Sequence, residues 1–282
     1  MKCIDMRCRP PVTSLIHTPI FNPEFTSSFG KRFGGSYPAP SAIHQSLEEL
    51  IDEMDAIGIE KGVFSVRRDG SATANEEALN VMEQYPGRFV AMVGCDPLEL
   101  DVAFHDIDQY AINGPFSGVT CEPGNPKYGY DSWYIDDERL FPLYEKCMQN
   151  NLPLILTVCR GSMPDATAFM PIRVENIVRA FPKLNIGLSH AAWPWFTQMC
   201  GICLKYPNVR IITDSYILNL PGYQDCITAA NYLLSDQILF GSSYPYNDQK
   251  YVYDFYMNCG IREEVLPKIM YENAATFLHL KD

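Results

Sequence analysis

Histidine is scarce in this chain, five in 282 residues, and positive charge is thin, with 22 Lys and Arg against 34 Asp and Glu. A net charge of -12 disfavours general electrostatic attraction to nucleic acid or to an anionic membrane. No apolar run approaches the ~18 residues that a membrane span needs. Nor does a charged-then-apolar leader stand at the N-terminus. The expectation is a cytoplasmic protein whose partners are small molecules, with no nucleic acid and no membrane. No Gly-x-Gly-x-x-Gly and no Gly-x4-Gly-Lys-Ser/Thr loop occurs, which removes two common phosphate cradles and argues against an open doubly wound sheet. Low-complexity segments and repeats beyond a simple βα unit are missing too.

What is there suits a large packed core: 47% of residues are hydrophobic and 12% aromatic. The ten cysteines are scattered, several inside apolar runs such as GVTCEP, so they read as reduced, buried thiols rather than a disulfide framework. Cys200 and Cys203 have redox-motif spacing. They sit, however, in WPWFTQMCGICLKYPN, where apolar residues recur at helical intervals and a thioredoxin-like context is missing.

Short runs rich in Val, Ile and Phe alternate with amphipathic stretches to the C-terminus. The strand candidates are KCIDMR, KGVFSVR, RFVAMVG, FSGVTCE, PLILTV, NIGLSH, VRIITD and QILFGS. Ser46-Leu47-Glu48-Glu49 has the form of a capping box, with Gly58 as the stop of the helix it opens. Further helices are expected over ANEEALNVMEQY, ERLFPLYEKCMQNN, PIRVENIVRAF and REEVLPKIMYENAATFLHL. Eight βα units most economically close into a (β/α)8 TIM barrel, an α/β fold, here one domain over residues 1–282 with an insertion after the first strand. That insertion, Pro11 to Ala42, is long enough to cover a site or to meet a partner subunit.

Barrels of this kind carry chemistry at the C-terminal ends of their strands. Those ends read Arg7 and Arg9, Arg67 and Arg68, Cys95-Asp96, Glu122, Thr157 to Arg160, His190, Asp214-Ser215-Tyr216 and Ser242-Ser243-Tyr244. Polar side chains that follow almost wholly apolar runs must be satisfied or used. Two arginines on one face of the first strand suit the bidentate holding of carboxylate or phosphate oxygens, although each could also pair with an acid such as Asp5 or Glu122.

The segments LSHAAWPWF, GSSYP and IMYENAATFL, read with IDMRCR, resemble the amidohydrolase-related family of metal-dependent hydrolases and decarboxylases on (β/α)8 barrels. The resemblance runs over essentially the whole chain and implies that barrel, a dimer or larger homo-oligomer, and a site at the strand ends. The family's usual His-x-His corresponds to Arg7 and Arg9, a common histidine after the fifth strand to Thr157, and the aspartate of Gly-Ser-Asp-Tyr-Pro to Ser243. His190 alone persists. A guanidinium has no lone pair to give a metal, and two would repel a divalent ion. The expectation is therefore no conventional metal centre and no cofactor.

The site so read has Glu122, His190 and Asp214 as catalytic candidates. Arg7, Arg9, Arg67, Arg160, Tyr216, Ser243 and Tyr244 bind a small anionic substrate, with Tyr216 or Tyr244 donating to a developing oxyanion. The leading reading is a metal-independent hydrolase of a small carboxylated substrate such as a lactone. The alternatives are a decarboxylase of the same family and a catalytically silent barrel that binds an anionic metabolite. An atypical metal site from Glu122 and His190 with Cys159 or Asp214 stays open as well.

Overall fold

The computed structural model describes residues 1–32, 38–67, 71–97, 99–122, 134–157, 165 and 167–280. Eight parallel strands follow one another in chain order, each hydrogen-bonded to the next. They are β1 (Cys3–Asp5), β2 (Ile59–Ser65), β3 (Phe89–Gly94), β4 (Gly118–Cys121), β5 (Leu154–Leu156), β6 (Ile186–Leu188), β7 (Val209–Ile212) and β8 (Ile238–Leu239). Nearly every strand residue is buried, because a parallel sheet covered by helices on one face and filled on the other leaves no wet side. This is the barrel expected from the alternating pattern.

Helices lie between consecutive strands. The one at Leu47–Ile57 shows how local chemistry sets its ends. The Ser46 hydroxyl accepts from the Glu49 N–H at 3.2 Å, and Gly58 closes it at φ 81°, where an added Cβ would lie 2.7 Å from the Met1 carbonyl oxygen. The reciprocal arm of the capping box does not form. Glu49 turns its carboxylate to His44 Nδ1, 2.9 Å away. The C-terminal helix is also less regular than the sequence pattern suggests, with a wide turn at Lys268–Glu272 before the regular stretch Asn273–Phe277.

Two apolar cores result. Inside the barrel, Ile4, Met6, Val63, Val90, Met92, Ile155, Ile212 and Leu239 pack together with Ala274, Phe277 and Leu278 of the C-terminal helix. A larger cluster fills the space between strands and helices. Part of the segment after β1 folds into short helices at Thr13–Ile16, Pro19–Phe21, Pro23–Lys31 and Pro40–His44. Eight of the described cysteines are buried and all are free. Burial pushes the Cys200 thiol up to about 11 and raises that of Cys203 still more, so neither offers a thiolate at neutral pH.

The seam between the first and last strands is held by backbone and by one carboxylate. Met6 N donates to Phe240 O at 3.0 Å, and Arg9 N to Tyr244 O at 3.2 Å. Asp5, fully buried, accepts from Arg7 N at 3.0 Å, Ser242 N at 2.8 Å, Ser242 Oγ at 2.5 Å and Gln249 Nε2 at 2.7 Å. Asp5→Asn keeps the shape but turns an N–H2 toward groups that already donate. The expected loss is about 1–3 kcal/mol, a fall of roughly 3–10 °C in Tm. Thermal unfolding measures it, and an unchanged Tm would show that the seam does not need the carboxylate.

Candidate active site

At the strand ends the backbone is bent into conformations that L-residues rarely adopt. His190, Ala191 and Ala192 after β6 have φ of 59°, 54° and 50°, Asp214 after β7 has 39°, and Ser243 after β8 has 63°. Non-glycine residues in this region cost on the order of 1 kcal/mol or more each. The cost is concentrated at the ends of three adjacent strands, where it sets the directions of His190, Asp214 and Ser243.

Three cations meet two acids there. Arg7 and Arg9 are 1% and 3% exposed, although each carries a full charge on a long side chain. Glu122, at the end of β4, sits between Arg7 and Arg67: Oε1 is 3.6 Å from Arg7 Nη2 and Oε2 is 3.3 Å from Arg67 Nη2. Thr157, just past β5, donates its hydroxyl to Glu122 Oε1 at 3.2 Å. With both oxygens engaged in this way, Glu122 holds two guanidiniums in place. Arg9 differs from the other two arginines. No carboxylate lies within 4.0 Å of its guanidinium among the described residues, whereas Arg7 and Arg67 both reach Glu122. Burial, together with repulsion from Arg7 and Arg67, lowers its pKa to about 9.

Asp214 faces Arg7 across Gly241. A Cβ added at Gly241 would lie 3.2 Å from the Cβ of Arg7 and 3.3 Å from that of Asp214, so the bare backbone lets both side chains start close against it, and the charge of Arg7 reaches the Asp214 carboxyl. Asp214 Oδ2 accepts from the His190 backbone N–H at 3.0 Å, while buried Oδ1 has no partner among the described residues. Burial raises the Asp214 carboxyl to about 7 even though Arg7, the backbone N–H groups of His190 and Tyr216, and Arg9 all pull it down. The His190 Nε2 lies 3.8 Å from Asp214 Oδ2, and its imidazole is the more exposed of the two groups. Tyr216 packs its ring against that imidazole, with centroids 4.8 Å apart.

The structure thus brings Arg7, Arg9, Arg67, Glu122, His190, Asp214 and Tyr216 to one end of the barrel. Two other candidates are occupied elsewhere. The Tyr244 hydroxyl is buried and hydrogen-bonds Ser41 Oγ at 2.9 Å, and Ser41 in turn bonds the Glu53 carboxylate, so Tyr244 ties the segment after β1 to the end of β8. Ser243 Oγ bonds the Ser215 backbone N–H at 3.1 Å and Ser215 Oγ at 3.0 Å, joining the exits of β7 and β8. Arg160, with Arg68 and Cys159, lies outside the described residues. Gly241 and Gln249 also shape the site. Gly241 could have been suspected from its place at a strand end, whereas Gln249 lies on the following helix and carries no signal in the sequence.

The donors present do not fit a conventional divalent centre. Among the described residues no three of His, Cys, Asp and Glu come together, and Glu122, His190 and Asp214 form no such group. Where the resemblance would put imidazoles, Arg7 and Arg9 offer only N–H donors and positive charge.

A family model described as Amidohydrolase matches residues 30–280, and the chain belongs to that family. No curated protein matches the chain in sequence. An uncharacterised TIM-barrel protein of Bordetella bronchiseptica is 31% identical with a TM-score of 0.86 over 99% of each chain. The 2,6-dihydroxybenzoate decarboxylase from Rhizobium is 14% identical, with a TM-score of 0.75 over 99% of each chain. The 5-carboxyvanillate decarboxylase from Novosphingobium aromaticivorans, complexed with manganese, is 17% identical with a TM-score of 0.71, covering 99% of this chain and 96% of that one. At these identities the two decarboxylases share the fold.

The raised Asp214 carboxyl has a consequence for stability. From near its ordinary 3.8 up to about 7 the folded state holds a proton that the unfolded chain has released. The contribution is therefore fully present below about pH 4 and is lost as pH rises through about 7. Urea unfolding between pH 5 and pH 8 should show stability falling with pH in the wild type. The fall should be shallower in Asp214→Asn, which cannot ionise, and an equal fall in both would reject the assignment.

Proposed function

We propose that the chain is a carboxy-lyase that removes CO2 from a small conjugated carboxylic acid, with fixed guanidinium charge and a buried acid in place of a metal centre. The observation that carries this reading is the placing of Arg7 and Asp214 on either side of Gly241. Arg7 supplies permanent positive charge on one side, and Asp214, poised at about 7, supplies a proton on the other. The shared fold with two decarboxylases supports the same choice.

In the proposed reaction the bond between the carboxylate carbon and the adjacent carbon breaks. On a hydroxybenzoate the Asp214 carboxyl first transfers its proton to that adjacent ring carbon, while the phenol gives its own proton to solvent and becomes a conjugated carbonyl. The electron pair of the breaking bond then flows into the carbonyl oxygen, restoring the ring, and CO2 leaves. Arg7 and Arg67 gain most by holding the oxygen that becomes negative. Gripping the departing carboxylate would stabilise the starting state instead, and only interactions stronger in the transition state accelerate the step. His190, beside Asp214 and nearer to solvent, returns a proton to it after each turnover.

A hydrolase of carboxylated lactones would use the same Asp214 in its ionised form to activate water, and a carboxyl near 7 has the strength for that role too. The two readings demand opposite protonation states. A panel of hydroxybenzoates that includes 2,6-dihydroxybenzoate and 5-carboxyvanillate, assayed for released CO2, should show turnover. Its kcat/KM should fall above about pH 7, the value set by Asp214, and Asp214→Asn should lower kcat by about 100-fold or more. Acid released from carboxylated lactones without CO2, with activity that rises through the same pH, would overturn the carboxy-lyase in favour of the hydrolase.

A further inference from the structure

Arg9 is the buried charge that the proposed reaction leaves without a task. Its side chain is 3% exposed, no carboxylate reaches it among the described residues, and its Nε–H has no acceptor there. Glu122 is close enough to influence it, but that carboxylate is already shared by Arg7, Arg67 and the Thr157 hydroxyl. Buried ions persist when something pairs with them, and a buried arginine at a barrel mouth that has no carboxylate within reach among the described residues is matched to an anion from outside. The charges of the site agree. Arg7, Arg9 and Arg67 face Glu122 and Asp214, and when Asp214 carries the proton it is to donate, two positive charges remain uncompensated among these five groups. A monoanion would cancel only one of them.

We propose that Arg9 anchors a second carboxylate of the substrate, one that stays on the product, so that the site selects dicarboxylic acids over monocarboxylic ones. The inference rests on the reading of the arginine cluster as the substrate site, but its test needs no turnover. Benzoate, phthalate, isophthalate and terephthalate share a ring, differ in the number and placement of carboxylates, and carry no hydroxyl to accept the electrons of a departing CO2. Titration calorimetry on the wild type should find the best of the three dicarboxylates binding at least about tenfold tighter than benzoate, the gain expected from one additional charge-assisted pair.

Arg9→Met should bring that dicarboxylate to the level of benzoate and leave benzoate within about threefold of its wild-type affinity. Arg9→Lys, which keeps the charge, should retain part of the preference. The dicarboxylate should also raise the Tm of the wild type but not that of Arg9→Met. Should Arg9→Met fail to fold, the wild-type comparison and Arg9→Lys still decide. Equal affinity of the wild type for benzoate and every dicarboxylate overturns the proposal, as does an Arg9→Met protein that keeps the full preference. A preference that depends on Arg9 in a protein that releases no CO2 from any hydroxybenzoate supports this inference while removing the carboxy-lyase reading.

Discussion

The carboxylate of Asp5 is the point on which the rest of the site depends. A barrel built from β1 through β8 has one seam where chain order gives no help, since its two strands are separated by the whole length of the domain. Asp5 spans that seam through the backbone N–H groups of Arg7 and Ser242, the Ser242 hydroxyl and the Gln249 amide. These bonds fix where the first strand ends and where the eighth one bends. Arg7 is placed by the first and Gly241 by the second, so the placing of Arg7 and Asp214 on either side of Gly241 follows from the closure of the fold. Burial of Asp5 raises its pKa and its hydrogen bonds oppose the shift, so the closure is built from a charge that other groups must keep solvated.

Above the seam the problem is reversed. Arg7, Arg9 and Arg67 bring more positive charge than Glu122 and Asp214 can neutralise, and they do so in a place nearly closed to water. A cluster of like charges of this kind is destabilising in isolation, and the left-handed residues at His190, Ala191, Ala192, Asp214 and Ser243 add backbone strain at the same end of the barrel. The interior core of Ile4, Val63, Val90, Ile155, Ile212 and Leu239, packed against Phe277, is what such a mouth can be built upon. Stability gathered at one end of the strands offsets its loss at the other. That division of labour is general to barrels of this type, whose strand ends carry chemistry while their interior carries packing.

Much of this was legible in the sequence, for reasons that differ from residue to residue. The strands announced themselves because both faces of a parallel barrel are buried, which leaves near-continuous apolar runs such as Phe89–Gly94. Arg7, Arg9, Glu122, His190 and Asp214 stood out because each is a polar residue ending such a run. Their roles relative to one another were not legible. Glu122 read either as an acid or base or as a partner for an arginine, and only the structure shows its oxygens taken up by Arg7, Arg67 and Thr157, contacts that depend on the spacing of β1, β2, β4 and β5 around the barrel. Tyr244 read as an oxyanion donor from its position alone, and its hydroxyl went to Ser41 because the segment after β1 folds back on that side. The capping box failed in one arm for a similar reason, since His44 offers Glu49 a partner that no local pattern foretells.

The exchange of imidazole for guanidinium changes more than the identity of the positive centre. A metal ion can be lost or replaced and can adjust its coordination, whereas an arginine is covalently fixed and donates only along set directions. A site that relied on guanidiniums in place of a metal would give up the ability to generate a strong nucleophile from bound water and gain a rigid, directional grip on oxygen anions. Chemistry that needs hydroxide at neutral pH becomes harder for it. Chemistry that needs only a held oxyanion and a well-placed proton remains within reach, and Asp214, raised to about 7, is suited to supply that proton under ordinary conditions. In the proposed carboxy-lyase the guanidiniums and the raised carboxyl would act in the same direction, the positive charge steadying an anion formed on the substrate and the acid neutralising it.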